Sequence, residues 1–343
     1  MSAATQIGIR ATELLASGFV SRPEALSEVR ETVGDPHSGP GGRAYRVTLC
    51  GGLSFDVLPE RGLDLGSLWH RGYPIAWRSP LAAPGPTAGS AKDGWIGRFG
   101  GGMLATCGLD NIGPARGDHG LHGSHHATRA TDVVIERTAD AGVVISGVVD
   151  SAQVFGRQVY LHRRIEARAD VAEIRVRDRI VNEGSTAEPV ALLYHLNFGA
   201  PFLMPGTGID VPAGAHVPRQ RLAHVPSWRL VPESTETVVE AVWEHSVLAV
   251  DAAGRAAATV TSTALGVQAI VSWDPEALPR CFEWVYPTRR GWALGIEPAN
   301  APLFGPDRGG EHAGAPMLKA GAELESGFVL ALSALDVPPT RPH

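Results

Sequence analysis

Apolar positions along this chain follow the two rhythms of β structure, alternation and short continuous runs, and seldom the spacing of a helix. Tyr45 to Leu49 and Leu53 to Leu58 flank Cys50-Gly51-Gly52, which reads as a hairpin. The same grammar repeats between Asp132 and Asn182. There Val133 to Ile135, Val143 to Val149, Gln158 to Ala167 and Glu173 to Asn182 are parted by turns at residues 139–142 and 168–170, which predicts an antiparallel meander. In the last run Ile174, Val176 and Ile180 share one face, while Arg175, Arg177 and Arg179 share the other and are read as solvated. Further runs at Ala241 to Val250, Ala257 to Ser262, Gly266 to Trp273, Trp292 to Ile296 and Glu325 to Leu335 continue the pattern. The 41 glycines and 26 prolines are dispersed, so they punctuate many short elements. With no βαβ alternation and no helical repeat, the fold class predicted is all-β, a large twisted sandwich. Residues 79–92 and 205–228 exceed a hairpin turn and are read as surface excursions near a binding face; residues 338–343 are read as a frayed tail.

Composition narrows the functions open to such a fold. At 343 residues and 44% hydrophobic content the chain can bury a substantial core. The formal net charge of −6 comes without a long block of either sign, so no nucleic-acid partner is expected. No apolar run approaches the ~20 residues that span a bilayer, and even Ala191 to Gly199 is broken by His195 and Asn197, so no membrane partner is expected. The N-terminus has no basic stretch followed by an apolar signal core; it carries Glu13 and a short helical segment around Thr12 to Ala16, which gives a cytoplasmic expectation. Cys50, Cys107 and Cys281 are odd in number and far apart, which argues against a disulfide framework.

Three segments bear chemistry. Asp118 to His126 places His119, His122, His125 and His126 among small residues, a loop able to bring imidazoles to a ligand or to cap its own turns. Leu192 to Gly199 is a strand-like apolar run that carries His195 and Asn197 on one face; buried without partners, each would cost ~1–3 kcal/mol. Leu294 to Asn300 ends an apolar strand on Glu297 just before Pro298, a position where a carboxylate can face a cleft or simply begin a turn.

In that order these motifs resemble the aldose 1-epimerase, or galactose mutarotase-like, family. The resemblance extends from Leu58-Pro59-Glu60-Arg61-Gly62-Leu63-Asp64 through Thr106-Cys107-Gly108-Leu109-Asp110-Asn111 to Lys319-Ala320-Gly321, and the first two motifs look like a divergent branch. It implies one large antiparallel β-supersandwich domain over residues 1–343, with residues 1–30 as an N-terminal extension. It also implies interconversion of the α and β anomers of a free sugar. Carried over by position, Glu297 is the general base, His195 the general acid and His122 the loop histidine that hydrogen-bonds the sugar, with no metal or organic cofactor. Arg98 stands where the family places a sugar-binding arginine. Arg61 and Asp64 compete for that part as an ion pair beside the cleft, Trp77 and Trp284 could stack on a sugar face, and Asn111 and Asn197 could bind hydroxyls. The expected partner is a small sugar, in a monomer or a homodimer. A sugar-binding or sensing protein without turnover and a metal-dependent isomerase or lyase centred on His122, His125 and His126 are the competing readings.

Overall fold

The structure is a computed structural model that describes residues 10–34, 37, 42–81, 94–223, 225 and 227–335. The N-terminal third holds α1 (Ala11–Ala16), β1 (Ser27–Val33), β2 (Arg43–Leu49), β3 (Leu53–Leu58), β4 (Asp64–His70), β5 (Tyr73–Pro74), α2 (Gly94–Arg98) and β6 (Leu104–Leu109). The middle holds β7 (Thr131–Arg137), β8 (Val143–Ala152), β9 (Gln158–Ala167), β10 (Glu173–Asn182), β11 (Glu188–Pro189) and β12 (Ala191–Phe198). The last third holds β13 (Gly208–Asp210), β14 (Ala213–Pro218), β15 (Ala241–Leu248), β16 (Ala256–Ser262), β17 (Val267–Trp273), β18 (Arg280–Tyr286), β19 (Ala293–Ala299), β20 (Met317–Leu318) and β21 (Glu323–Ala334).

The meander read from the sequence forms as β7 to β10, and β16, β17 and β21 extend it into an eight-stranded sheet in the order β13-β16-β17-β21-β10-β9-β8-β7. A six-stranded sheet, β14-β15-β18-β19-β12-β6, carries His195 and Glu297, and β1 to β5 make a third sheet in chain order. Period-two alternation sorts the side chains. Ile174, Val176 and Ile180 of the large sheet meet Leu192, Tyr194, Leu196, Leu294 and Ile296 of the six-stranded sheet in the main core. Arg175, Arg177 and Arg179 point outward, each near a glutamate.

The six-stranded sheet is buried on both faces, which is why β12 reads as one continuous apolar run. Its second face carries a separate cluster that includes Trp77, Trp95, Phe99, Leu193, Val242 and Phe282. That face holds His195 and Glu297, so both candidate groups lie on the side of the sheet away from the main core.

Three expectations meet a different outcome. Residues 205–228 are not wholly an excursion: β13 edges the large sheet and β14 edges the six-stranded one. Most of residues 79–92 and all of 338–343 lie outside the described residues. Part of the expected N-terminal extension is docked, since the Ala11 backbone N–H donates to Asp170 at 3.0 Å, Leu26 joins Ala141 and Ala169 in a small core, and β1 pairs with β2 along its length. Among the described residues no helix is long and apolar enough to cross a membrane.

Candidate active site

The register of two neighbouring strands brings the central pair together. Leu193 pairs with Ala299 and Asn197 with Gly295, so His195 faces Glu297 directly across β12 and β19. Their closest approach is 3.1 Å, from His195 Nε2 to Glu297 Oε1. The flanking positions on the same face are small: Ala105 of β6 lies opposite His195, and Gly295 precedes Glu297 by one repeat of the strand. A Cβ at Gly295 would stand 2.6 Å from Glu297 Oε1 and 2.9 Å from His195 Cε1, closer than atoms tolerate. Gly295→Ala is therefore expected to leave the fold intact and displace the pair. In an enzyme a misplacement of this kind costs roughly 10- to 100-fold in turnover, and circular dichroism beside an NMR shift of the His195 ring separates displacement from unfolding.

His122 arrives from the loop after β6. It adopts a left-handed backbone, φ 60°, followed by Gly123 at φ 72°. A side chain at Gly123 would strike Asp110 Oδ1 at 2.3 Å and the Asn111 carbonyl at 2.5 Å, which explains the His-Gly order. The Gly113 N–H donates to His122 Nδ1 at 3.3 Å, so the neutral ring carries its proton on Nε2 and is a hydrogen-bond donor there. The rings of His122 and His195 are 5.9 Å apart.

Aromatic rings enclose these groups. Trp95 of α2 lies 4.7 Å from His122, 4.4 Å from His126 and 6.1 Å from His195, centroid to centroid, and stacks on Phe99. Trp284 stands edge-on to His195 at 5.5 Å and stacks on Tyr286. Enclosure leaves His195 4% and Glu297 2% exposed, and burial sets their protonation. It pushes the Glu297 carboxyl up to about 8, with Glu240 adding and Arg219 opposing. It holds His195 well below the ordinary histidine value, an effect that His122 reinforces, and lowers His122 to about 4. Burial thus favours the neutral forms of both groups near neutral pH, imidazole and carboxylic acid, with one exchangeable proton between the facing Nε2 and Oε1 positions.

The other expected residues separate by position. Trp284 lines the site half-buried, and its Nε1 donates to Glu240 Oε2 at 3.0 Å. Arg98 lies half-buried in α2, with Nε donating to the Gly94 carbonyl. Arg61 is buried and donates to the His37 carbonyl. Trp77 packs against Phe99 and Trp284 and donates to the Gly291 carbonyl at 2.6 Å, a packing role. Asn197 ties its amide to the carbonyls of Gly102 and His195, and Asn111 ties the loop carbonyls of Pro114 and Gly120. Asp64 is a correction. It does not form the expected pair with Arg61 beside the cleft but meets Arg163 at 2.6 Å and Thr106 at 2.6 and 2.7 Å. Thr106 alternates with Ala105 along β6, so this carboxylate lies behind the sheet.

Of the remaining loop histidines, His119 is exposed near Asp110, whereas His125 and His126 are buried. Among the described residues no group of three or more His, Cys, Asp or Glu side chains is disposed to hold a metal ion. The sequence reading missed Trp95, Gly295 and the ion pair of Arg219 with Glu240 at 2.6 Å. Trp95 stands three residues before Arg98 and could have been weighed with it; Glu240, at the entry to an apolar strand, gave no signal.

Comparison with known proteins places this arrangement in context. A candidate aldose 1-epimerase from Klebsiella pneumoniae subsp. pneumoniae superposes with a TM-score of 0.78 at 22% identity, covering 85% of this chain and 80% of that one. A galactose mutarotase-like protein from Clostridium acetobutylicum gives 0.63 at 15% identity, covering 91% and 100%. A candidate aldose 1-epimerase from Escherichia coli K12 gives 0.56 at 14% identity, covering 90% and 100%. At such identities the likeness is one of fold. No curated protein matches the sequence. A family model described as Domain of unknown function (DUF4432) matches residues 39–332. The chain therefore belongs to the DUF4432 family, a divergent family with the galactose mutarotase-like fold.

Proposed function

We propose that the protein is an aldose 1-epimerase-like enzyme, which opens and recloses a sugar ring by acid–base chemistry. The observation that carries this reading is the opposed His195 and Glu297 pair at 3.1 Å on a face lined by the His122 ring and Trp284. Glu297 takes the proton of the anomeric hydroxyl while His195 protonates the ring oxygen. The C1 to ring-oxygen bond breaks, the free aldehyde or ketone rotates about its bond to C2, and reclosure on the other face returns both protons. His122 donates from Nε2 to an oxygen of the ring, and Trp284 presents a flat apolar surface to sugar C–H groups. The free cysteines fit the reducing conditions of a cytoplasmic enzyme.

Burial explains how a carboxyl near 8 can serve as a base. Two separate charges are costly in this enclosure, so the free protein keeps imidazole and carboxylic acid neutral. Exchanging one proton between the two groups yields carboxylate and imidazolium without changing the net charge of the pair. The catalytic form is the one-proton pair. Exchange is thus expected to hold level through neutral pH and to fall above about 8, where the pair loses its proton. It also falls in acid, well below the ordinary histidine value, where the pair gains a second one. A rate that climbs steadily through pH 9 would contradict the one-proton pair.

The deciding experiment is anomer exchange of freshly dissolved sugars followed by NMR, with wild type beside Glu297→Gln and His195→Asn. Acceleration by wild type that both variants lose supports the enzyme. Binding of a sugar whose anomers still exchange at the buffer rate supports a sensing protein.

A further inference from the structure

Among the described residues the Arg308 guanidinium has no carboxylate partner. Arg308 is half-buried and lies against that loop, where its Nη2 donates to Asn111 Oδ1 at 2.8 Å and to the Pro114 carbonyl at 2.9 Å. Both acceptors are neutral. Among the described residues Nε and Nη1 of Arg308 meet no acceptor. Of the acidic groups nearby, Asp307 pairs with Arg280 at 3.0 Å, Asp110 stands 3.5 Å from His119, Glu240 is matched by Arg219 and Glu311 lies 3.3 Å from His312, while exposed Asp118 forms no ion pair with Arg308 or Arg116 among the described residues. Arg116, on the exposed stretch of the same loop, and Arg98, in α2 beside the buried His126, also have no carboxylate within ion-pair reach among the described residues. The Arg308 guanidinium is lowered from its ordinary value by burial and then by Arg116.

A half-buried cation held by neutral acceptors beside a second cation is unfavourable in the free protein, and an anion bound there relieves it. Guanidinium suits that task, because its planar donors match the oxygens of phosphate, sulfonate or carboxylate. Asn111 fastens Arg308 to the loop that also carries His122, since its Nδ2 donates to the Pro114 and Gly120 carbonyls while Gly113 meets the His122 ring. The guanidinium thus has a defined place relative to the proton-transfer groups.

We propose that the substrate is an anionic sugar, whose phosphate, sulfonate or carboxylate group, remote from C1, docks on Arg308 and Arg116 beside the His122 loop. This rests on the epimerase reading for the sugar ring but not for the anion site. The sugar ring faces His195 and Glu297, and its charged substituent reaches the arginine rim.

Calorimetric titration of the full chain with a matched set, a hexose, its 6-phosphate, its 6-sulfonate and its uronate, tests the proposal. At least one anionic member is expected to bind roughly ten-fold or more tightly than the neutral hexose, a preference of about 1.4 kcal/mol. The pattern across the set identifies the anion. Arg308→Gln and the exposed Arg116→Gln should each shrink that preference and leave the affinity for the neutral hexose unchanged. Arg308→Lys should restore part of it. Equal or weaker binding of every anionic sugar overturns the proposal, as does an equal loss for neutral and anionic sugars in both Gln variants, which would mark Arg308 as a loop clamp. Should Arg308→Gln fail to fold, Arg116→Gln and Arg308→Lys still decide. An anionic sugar that binds through these arginines but exchanges its anomers at the buffer rate defeats the epimerase reading and leaves the anion site standing.

Discussion

Glu297→Gln is expected to slow anomer exchange by roughly 100-fold or more and to stabilise the fold, two effects with one cause. The carboxyl is 2% exposed and is pushed by burial to about 8, against an ordinary value of 4.5. A folded value above the unfolded one means that the native state binds the proton more tightly. The group's contribution to stability is therefore fully present below about 4.5 and is lost as pH climbs to about 8. At pH 7 the loss is on the order of 3 kcal/mol. Glutamine keeps the shape and does not titrate, so the variant escapes that loss. Urea denaturation at pH 5 and pH 8 should show the variant's advantage over wild type growing with pH, while exchange falls by roughly 100-fold or more. An advantage that does not change with pH would mean that Glu297 is not held protonated by its surroundings. A site that weakens its own fold is the usual cost of placing a titratable group out of water.

Arg163→Met is expected to have the largest effect on stability of any single substitution considered. Arg163 is 1% exposed and donates to Asp178 at 2.6 and 2.9 Å, to Asp64 at 2.6 Å and to Thr106 at 2.9 Å, while the Tyr194 hydroxyl donates to Asp178 at 2.8 Å. Burial alone would lower the guanidinium, yet Asp178 and Asp64 hold it charged above its ordinary value. Removing it strands two buried carboxylates, which costs about 3–5 kcal/mol. The urea midpoint should drop accordingly. Arg163→Met combined with Asp64→Asn and Asp178→Asn should recover much of the loss, because no buried charge is then left alone. A single variant as stable as wild type would show that the network is not held as the structure describes. Tyr194 immediately precedes His195, so the same network braces β12 behind the His195 and Glu297 pair.

The gap between sequence and structure is clearest at Asp64. Arg61 and Asp64 lie three residues apart, and local reasoning joins them. The chain instead turns between them, and Arg163, 99 positions away, takes the carboxylate behind the sheet. Glu240 illustrates the same limit: its importance comes from Trp284 and Arg219, neither of them local to it in sequence. The histidine loop shows a third form of it. Four histidines were legible as a group, but only the left-handed turn at His122 and Gly123 distinguishes the ring that faces His195 from buried His125 and exposed His119.

The sequence by itself determined that the chain is all-β, since strand periodicity and dispersed turn residues are local properties that recur in runs from Tyr45 to Leu335. It also carried the His195 and Glu297 motifs, because a titratable side chain interrupting an apolar strand is visible without neighbours. Tertiary structure alone decided that these two residues, 102 positions apart, face each other at 3.1 Å. It likewise decided which face they share and how deeply they are buried. Register between β12 and β19, and desolvation by Trp95 and Phe99, are properties of packed elements and are written in no segment alone.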